Sequence, residues 1–255
     1  MGQKAEPTVT RDVQPGDKVL DVNAMSQDVG RVFETCKPTT LTFDCYGTLI
    51  DWESGACRAL RHIYGYPQSR VTDADLIDLF LQNDARIIRE NDFPYSNVLS
   101  RVAQSVAKTL GVMSDPGLEA LFAHSVSRWP PFEETNACLA WLARRYRLAI
   151  ISNIDDQLLS QTIAQFPVRF DALVTSEQTQ SYKPDPIIFD RAVELIGEHP
   201  SRIIHIAEGR CEATPARALG MRSIWVNRSP RSDDGSKAEP DAIVANLTEI
   251  VEAVS

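Results

Sequence analysis

Asp44, Lys183 and the acids Glu208 and Glu212 are the side chains of this 255-residue chain best suited to covalent chemistry. A carboxylate can attack an electrophilic carbon and form an ester that water later cleaves. It needs a cation and hydrogen-bond donors to hold both it and its substrate. Lys183 supplies the charge, and Ser152 and the backbone N–H groups of the 44–48 turn supply donors. The second step needs a base for water, which Glu212 or Glu208 provides. Tyr46, two residues past Asp44, is either a pocket wall or a packing residue. Thr48 either touches substrate or nucleophile, or caps the loop. Asn153 follows Ser152 at the end of an apolar run, where such a pair is otherwise an ordinary helix cap. Asn83 interrupts an apolar helical stripe, so it faces the pocket or pairs inside its own helical layer. The expected catalytic set is therefore Asp44, Lys183 and Glu212, and the expected substrate contacts are Tyr46, Thr48, Ser152, Asn153 and Asn83. Trp52 and Trp129 read as core, and His205, in mid-strand, as a satisfied core histidine.

The elements that must position these residues alternate. Residues 39–44 (TTLTFD) form a β-rich run ending in the carboxylate, and Gly47 marks a tight turn. Apolar runs at 148–152 (LAIIS) and 203–207 (IIHIA) read as parallel strands covered on both faces. Residues 172–175, 223–226 and a stretch near Ile243 complete the set of strands. Helices are expected at 133–146, 156–165, 212–219 and from about Thr248. Another runs from Pro186, capped by Asp185, to Gly197. Between the first strand and the rest lies a helical block. Thr72 with Asp75 makes a capping box, followed by Leu76, Phe80, Asn83 and Ile87 at helical spacing. Ser96 starts a second helix along Leu99, Val102, Val106 and Leu110, and a third runs from Pro116 to Trp129. This pattern predicts an α/β fold, a doubly wound parallel sheet with an inserted helical cap. The core takes residues 38–53 and 131–255, the cap 54–130, and residues 1–37 read as a flexible N-terminal extension. Ligands of such sheets sit beyond the carboxyl ends of the strands, where Asp44, Ser152, Lys183 and Glu208 all fall and where the cap would exclude water.

Composition narrows the partners. With 26 Lys+Arg against 35 Asp+Glu, the chain carries a formal charge of −9 and no basic run, which argues against nucleic acid. No apolar stretch approaches the ~20 residues that span a bilayer, and the first residues lack a signal-peptide core. The five cysteines are dispersed, without CxxC or zinc spacing. The expectation is a cytoplasmic protein with reduced thiols and a small anionic organic substrate, as monomer or homodimer, with no nucleic-acid or membrane partner.

The run Asp44-Cys45-Tyr46-Gly47-Thr48-Leu49 resembles the first motif of the haloacid dehalogenase superfamily. Ser152-Asn153 resembles its second, Lys183-Pro184-Asp185 its third, and Ala207-Glu208 with Glu212 its acidic fourth. Order and spacing agree over residues 39–228, about three quarters of the chain. Where phosphatase members carry a second Asp, this chain has Tyr46, which is similar to the L-2-haloacid dehalogenase branch. The resemblance implies that Asp44 displaces a leaving group from the α-carbon of a 2-substituted acid, that the ester is cleaved at its own carboxyl carbon, and that no metal or other cofactor is required. The chain also departs from the pattern. The halide-cradling Arg of the first long cap helix is missing near Phe80-Leu81-Gln82, with Arg86 and Arg89 offset. Ala207 and Gly209 replace Ser and Asn, Glu212 replaces Asp, and Phe189 replaces an aromatic hydroxyl. A relative that opens the ring of azetidine-2-carboxylate suggests a different leaving group, an amine. The same motifs also admit a magnesium phosphatase, with the metal on Asp44 and Glu208, or a non-catalytic binding protein of the same fold.

Overall fold

In the computed structural model, residues 22–90, 93–228 and 235–255 are described. The chain begins with α1 (Val22–Cys36) and β1 (Thr40–Phe43), followed by α2 (Trp52–Tyr64), α3 (Asp73–Ile88), α4 (Tyr95–Thr109) and α5 (Pro116–Ser125). Then come α6 (Thr135–Leu142), β2 (Arg147–Ser152), α7 (Asp156–Thr162), β3 (Ala172–Thr175), the one-turn α8 (Ser176–Thr179) and α9 (Pro186–Ile196). β4 (Ile203–Ala207), α10 (Ala213–Ala218), β5 (Arg222–Val226), β6 (Ala242–Val244) and α11 (Leu247–Ala253) close it. The six strands form one sheet in the order β3-β2-β1-β4-β5-β6, with every pair parallel. From β1 the chain goes to β2 on one side and later to β4 on the other. The crevice where strand order reverses therefore opens between β1 and β4. Phe43 is in register with Ile150 and Ile206, so Asp44 emerges level with the ends of both neighbours.

The strands are apolar throughout because helices cover both faces; β1 and β4 have no exposed residue. One addition to the expected fold lies at the start. Much of the stretch read as a flexible extension is α1. Val29, Val32, Phe33 and Cys36 are buried at i, i+3, i+4 and i+7, and the helix packs on β6 and α11. Polar residues between these four masked the stripe. Residues 1–21 of that extension lie outside the described residues.

Helices α2–α5 share their own apolar layer. Leu60, Leu76, Phe80, Ile87, Leu99, Val102, Val106 and Phe122 are all buried, and α4 packs between α3 and α5. The Thr72 capping box is present: Thr72 N–H donates to Asp75 Oδ2 at 3.0 Å, and Asp75 N–H to Thr72 Oγ1 at 3.1 Å. Ser96 is not the cap of α4. That helix begins at Tyr95, and its first N–H groups are taken by Asp155, from the loop after β2: Tyr95 N at 2.5 Å and Ser96 N at 2.9 Å. An acid from the α/β layer thus satisfies the positive end of a helix in the α-helical layer.

Candidate active site

Asp44 caps the central strand. Its N–H donates to Ile206 O at 3.0 Å, continuing the β1–β4 ladder by one residue. The chain then turns sharply: Gly47 has φ +103° and donates to Ile50 O, while Leu49 and Ile50 donate to Cys45 O. Only glycine adopts that φ without strain. A Cβ there would also lie 3.0 Å from a carboxylate oxygen of Glu208. The turn brings Thr48 back beneath the nucleophile. Its hydroxyl donates to Asp44 Oδ2 at 3.0 Å and accepts from Glu208 N–H at 2.8 Å. The other oxygen, Oδ1, takes a charge-assisted bond from Lys183 Nζ at 2.6 Å.

Lys183 is fixed at its backbone by Asn153. Its N–H donates to Asn153 Oδ1 at 2.7 Å, and Asn153 Nδ2 returns a bond to its carbonyl at 3.3 Å. The buried ammonium bridges two acids, because Glu212 Oε2 lies 2.8 Å from the same Nζ. Glu212 Oε2 also faces His205 Nε2 at 3.0 Å, and His205 Nδ1 lies 2.9 Å from Thr42 Oγ1. An ionised carboxylate only accepts, so Nε2 carries a proton. Glu212 is thereby held twice through one oxygen. The other, Oε1, sits 2.7 Å from where a Cβ of Gly209 would be. The side chain missing at Gly209 makes room for the longer Glu at 212.

Electrostatics follow from this packing. Burial drives the Lys183 pKa down, but two carboxylates outweigh it, so the ammonium is held above its usual range. Burial pushes Glu212 up, yet Lys183 and His205 prevail and hold it below the ordinary carboxylate range. For Asp44, burial together with the charge of Glu212 exceeds the pull of Lys183 and Thr48, and its pKa is raised.

In front of Asp44 lies a cavity of about 220 Å³. From the α/β layer Tyr46, Ser152, Asn153, Lys183, Glu208 and Glu212 line it; from the helical layer come Trp52, Phe80, Leu81, Asp84 and Tyr95, with Val126 and Trp129 beyond α5. The Trp52 and Phe80 rings are 5.2 Å apart, and Tyr46 meets Trp129 edge-on at 6.2 Å. Ser152 Oγ is buried with no partner among the described residues, an unused donor in the wall. The Tyr46 hydroxyl donates to Thr162 Oγ1 at 2.8 Å, because Thr162 donates in turn to Leu158 O. Burial holds that phenol well above its usual pKa.

A family model for haloacid dehalogenase-like hydrolases matches residues 38–220. The chain belongs to that family. Among similar proteins, the (S)-2-haloacid dehalogenase of Pseudomonas sp. (strain YL) is 26% identical over 220 residues, covering 83% of this chain and 92% of the relative. Haloacetate dehalogenase H-2 of Moraxella sp. (strain B) is 25% identical over 227 residues, covering 86% and 99%. The solved L-2-haloacid dehalogenase of Xanthobacter autotrophicus with chloropropionic acid covalently bound superposes with a TM-score of 0.73. It is 20% identical and covers 85% of this chain and 98% of its own, a likeness of fold.

Within this haloacid dehalogenase-like hydrolase, the structure brings Asp44, Lys183, Glu212, Tyr46, Ser152 and Asn153 to one cavity. Two expected substrate contacts are not there. Thr48 is fully buried and does not line the cavity; of the contacts expected of it, it makes the one with the nucleophile, beneath which it sits. Asn83 does not line the cavity: it donates to Leu79 O at 2.8 Å and accepts from Arg86 at 3.3 Å. Each helical residue turns the side chain by about 100°, so the next residue, Asp84, faces inward with Phe80 one turn before it. Sequence reasoning missed Asp84. It also missed the partner of Asp84, Tyr95, whose hydroxyl donates to Asp84 Oδ1 at 2.8 Å. His205 is a satisfied core histidine as expected, but what satisfies it is Glu212. Trp52 and Trp129 are cavity walls as well as packing residues. Arg86 pairs with Glu90 at 3.1 Å, outside the cavity. Both oxygens of Asp44 have protein partners, and among the described residues no three His, Cys, Asp or Glu side chains converge as metal ligands. A magnesium ion on Asp44 and Glu208 would have to share the Asp44 oxygens with Lys183 and Thr48.

Proposed function

We propose that the chain hydrolyses a small 2-substituted carboxylic acid of the 2-haloacid kind through an ester on Asp44. One observation carries this reading: Asp44 is fixed between the Lys183 ammonium and the Thr48 hydroxyl at the floor of a cavity. The substrate carboxylate docks on Ser152 Oγ–H and on the Lys183 N–H that neither acid uses. An Asp44 oxygen then attacks C2 from the side opposite the leaving group. The C–O bond forms, the carbon–halogen bond breaks, halide leaves with the electron pair, and configuration inverts. Halide needs no proton, which suits a site where the Tyr46 hydroxyl is bonded to Thr162. In the second step Glu212 takes a proton from water, whose oxygen adds to Asp44 Cγ. Collapse of the tetrahedral adduct breaks the Cγ–O(alkyl) bond, the proton passes to the departing alkoxide, and a 2-hydroxy acid leaves. No metal or other cofactor enters this scheme, and the small acid is the only partner it requires.

Asp44→Asn is expected to lower turnover of 2-chloropropionate by at least about a thousandfold while circular dichroism and melting remain those of a folded protein. In a single turnover in heavy-oxygen water, the label should appear in the peptide containing Asp44 and be absent from the first product. Full activity of the variant, or direct labelling of that product, refutes the covalent route.

A further inference from the structure

The cavity holds more negative charge than an acid substrate alone would favour. Asp44, Asp84 and Glu212 line it against one cation among the described residues, Lys183, whose ammonium already touches Asp44 and Glu212. No described Arg or His lines it. The polar groups also come from both layers. On the α/β side, Ser152 Oγ and Lys183 suit a carboxylate. On the helical side Asp84, from α3, accepts the Tyr95 hydroxyl on Oδ1, which leaves Oδ2 to take a further donor. Phe80, one helical turn before it on α3, and Trp52 line the same cavity, their rings 5.2 Å apart. Ring faces attract a cation, and a carboxylate partly withdrawn from water attracts one more strongly than at the surface.

We infer that Asp84, oriented by Tyr95 in a cavity that Trp52 and Phe80 also line, is a cation subsite, so that the preferred substrates are small zwitterions. Their carboxylate binds at Ser152 and Lys183, and a protonated nitrogen further along the chain binds at Asp84. The inference rests on the reading of this cavity as the substrate pocket. It goes beyond the displacement chemistry by assigning a charge to the far end of the substrate. Burial lifts the Asp84 pKa to about 6, with the Tyr95 bond pulling against it, so above that pH the subsite is mostly anionic. A cation there restores the charge balance that a lone anionic acid leaves unfavourable.

The test uses the full chain and ligands without a leaving group, so that binding is read apart from catalysis. Butanoate is compared with 3-aminopropanoate, 4-aminobutanoate and 5-aminopentanoate by calorimetry or ligand-observed NMR at pH 7.5. One of the amino acids is expected to bind at least about tenfold tighter than butanoate. Asp84→Asn should bring the two classes to within about twofold, and Asp84→Glu should recover part of the difference. If no amino acid binds tighter to the unaltered protein, or if the preference survives Asp84→Asn, the subsite is refuted, and the first arm holds even should the variant misfold. Turnover of 2-chlorobutanoate and of 2-chloro-4-(trimethylammonio)butanoate separates this inference from the reading beneath it. A binding preference that depends on Asp84, with neither chloro acid consumed, refutes the displacement reading and leaves the subsite standing. Turnover of both at equal kcat/KM does the reverse.

Discussion

On the α/β side of the cavity, Asp44, Lys183, Glu212 and His205 form an unbroken run of contacts of 2.6–3.0 Å. The helical side offers Trp52 and Phe80 and a single polar pair, Asp84 with Tyr95. In the first region the members of that run hold one another in place, so geometry is fixed before substrate arrives, as a reaction with developing charge requires. In the second, shape and one charge do the selecting, and residues there can change without disturbing the nucleophile. The division places chemistry on the sheet and discrimination on the inserted helices, and mutations on the two sides should differ in kind.

The sharpest break of that division is Lys183→Met. It removes the only cation among the described residues lining the cavity and leaves Asp44 and Glu212 buried side by side. Turnover is expected to fall at least about a thousandfold, and unfolding free energy by about 3–5 kcal/mol, the range for stripping one partner from a buried pair. Chemical denaturation followed by circular dichroism measures the second effect. A stable variant with normal kcat would show that the charge run is ornamental.

Glu212→Gln separates the two steps. Ester formation needs no base, so a burst of halide release should precede a steady rate lowered by about a hundredfold, and Asp44 should accumulate as the ester, seen by intact mass. The same variant tests the origin of the Asp44 shift. Only ionised Asp44 attacks, so kcat/KM rises with pH through a midpoint above the ordinary carboxylate range, since the group is buried and faces Glu212. Burial is the larger cause and stays in the variant. Removing the Glu212 charge should therefore move the midpoint down without restoring it fully.

How much of this was readable without coordinates follows the same division. The nucleophile directly follows β1, and the lysine and the base lie in the segments that follow β3 and β4. Apolar runs such as LAIIS and IIHIA mark those places in the sequence, and all six strands fell where alternation put them. On the helical side the expectation was off by one residue. Asn83 lies in the apolar stripe of α3 and bonds to its own helix, while Asp84 faces the cavity. The choice depends on how α3 is rotated by its packing against α4, which no local pattern records. The same holds for α4, whose N-terminus is capped by Asp155, 60 residues away from Tyr95, and for α1, whose apolar stripe gains meaning only against β6 and α11. Periodicity reports burial; it does not report which neighbour completes a site.

His205 probes the back of the catalytic run. It is fully buried and touches neither cavity nor Asp44, so it acts through Glu212 as a positioning residue. Replacing it with Phe, which keeps the packing against Phe189, leaves Glu212 Oε2 with Lys183 alone. Ester hydrolysis should slow by about tenfold while the halide burst keeps its rate, and His205→Gln, which can still donate, should recover part of the loss. Equal slowing of both steps would mean that the histidine serves packing only.

The smallest effect belongs to Asp155, which joins the two regions without lining the cavity. In Asp155→Ala the first N–H groups of α4 lose their acceptors, and stability should fall by about 1 kcal/mol, as for other lost helix caps. The catalytic run on the sheet is untouched, so kcat should stay within about twofold. Tyr95, the first residue of α4, carries the hydroxyl that orients Asp84, so KM should rise severalfold, and more for a zwitterionic substrate than for a neutral-tailed one. An increase in KM of the same size for both would place Asp155 in helix stability alone. A loss of kcat would show that the sheet and the inserted helices do not divide the work as their contacts suggest.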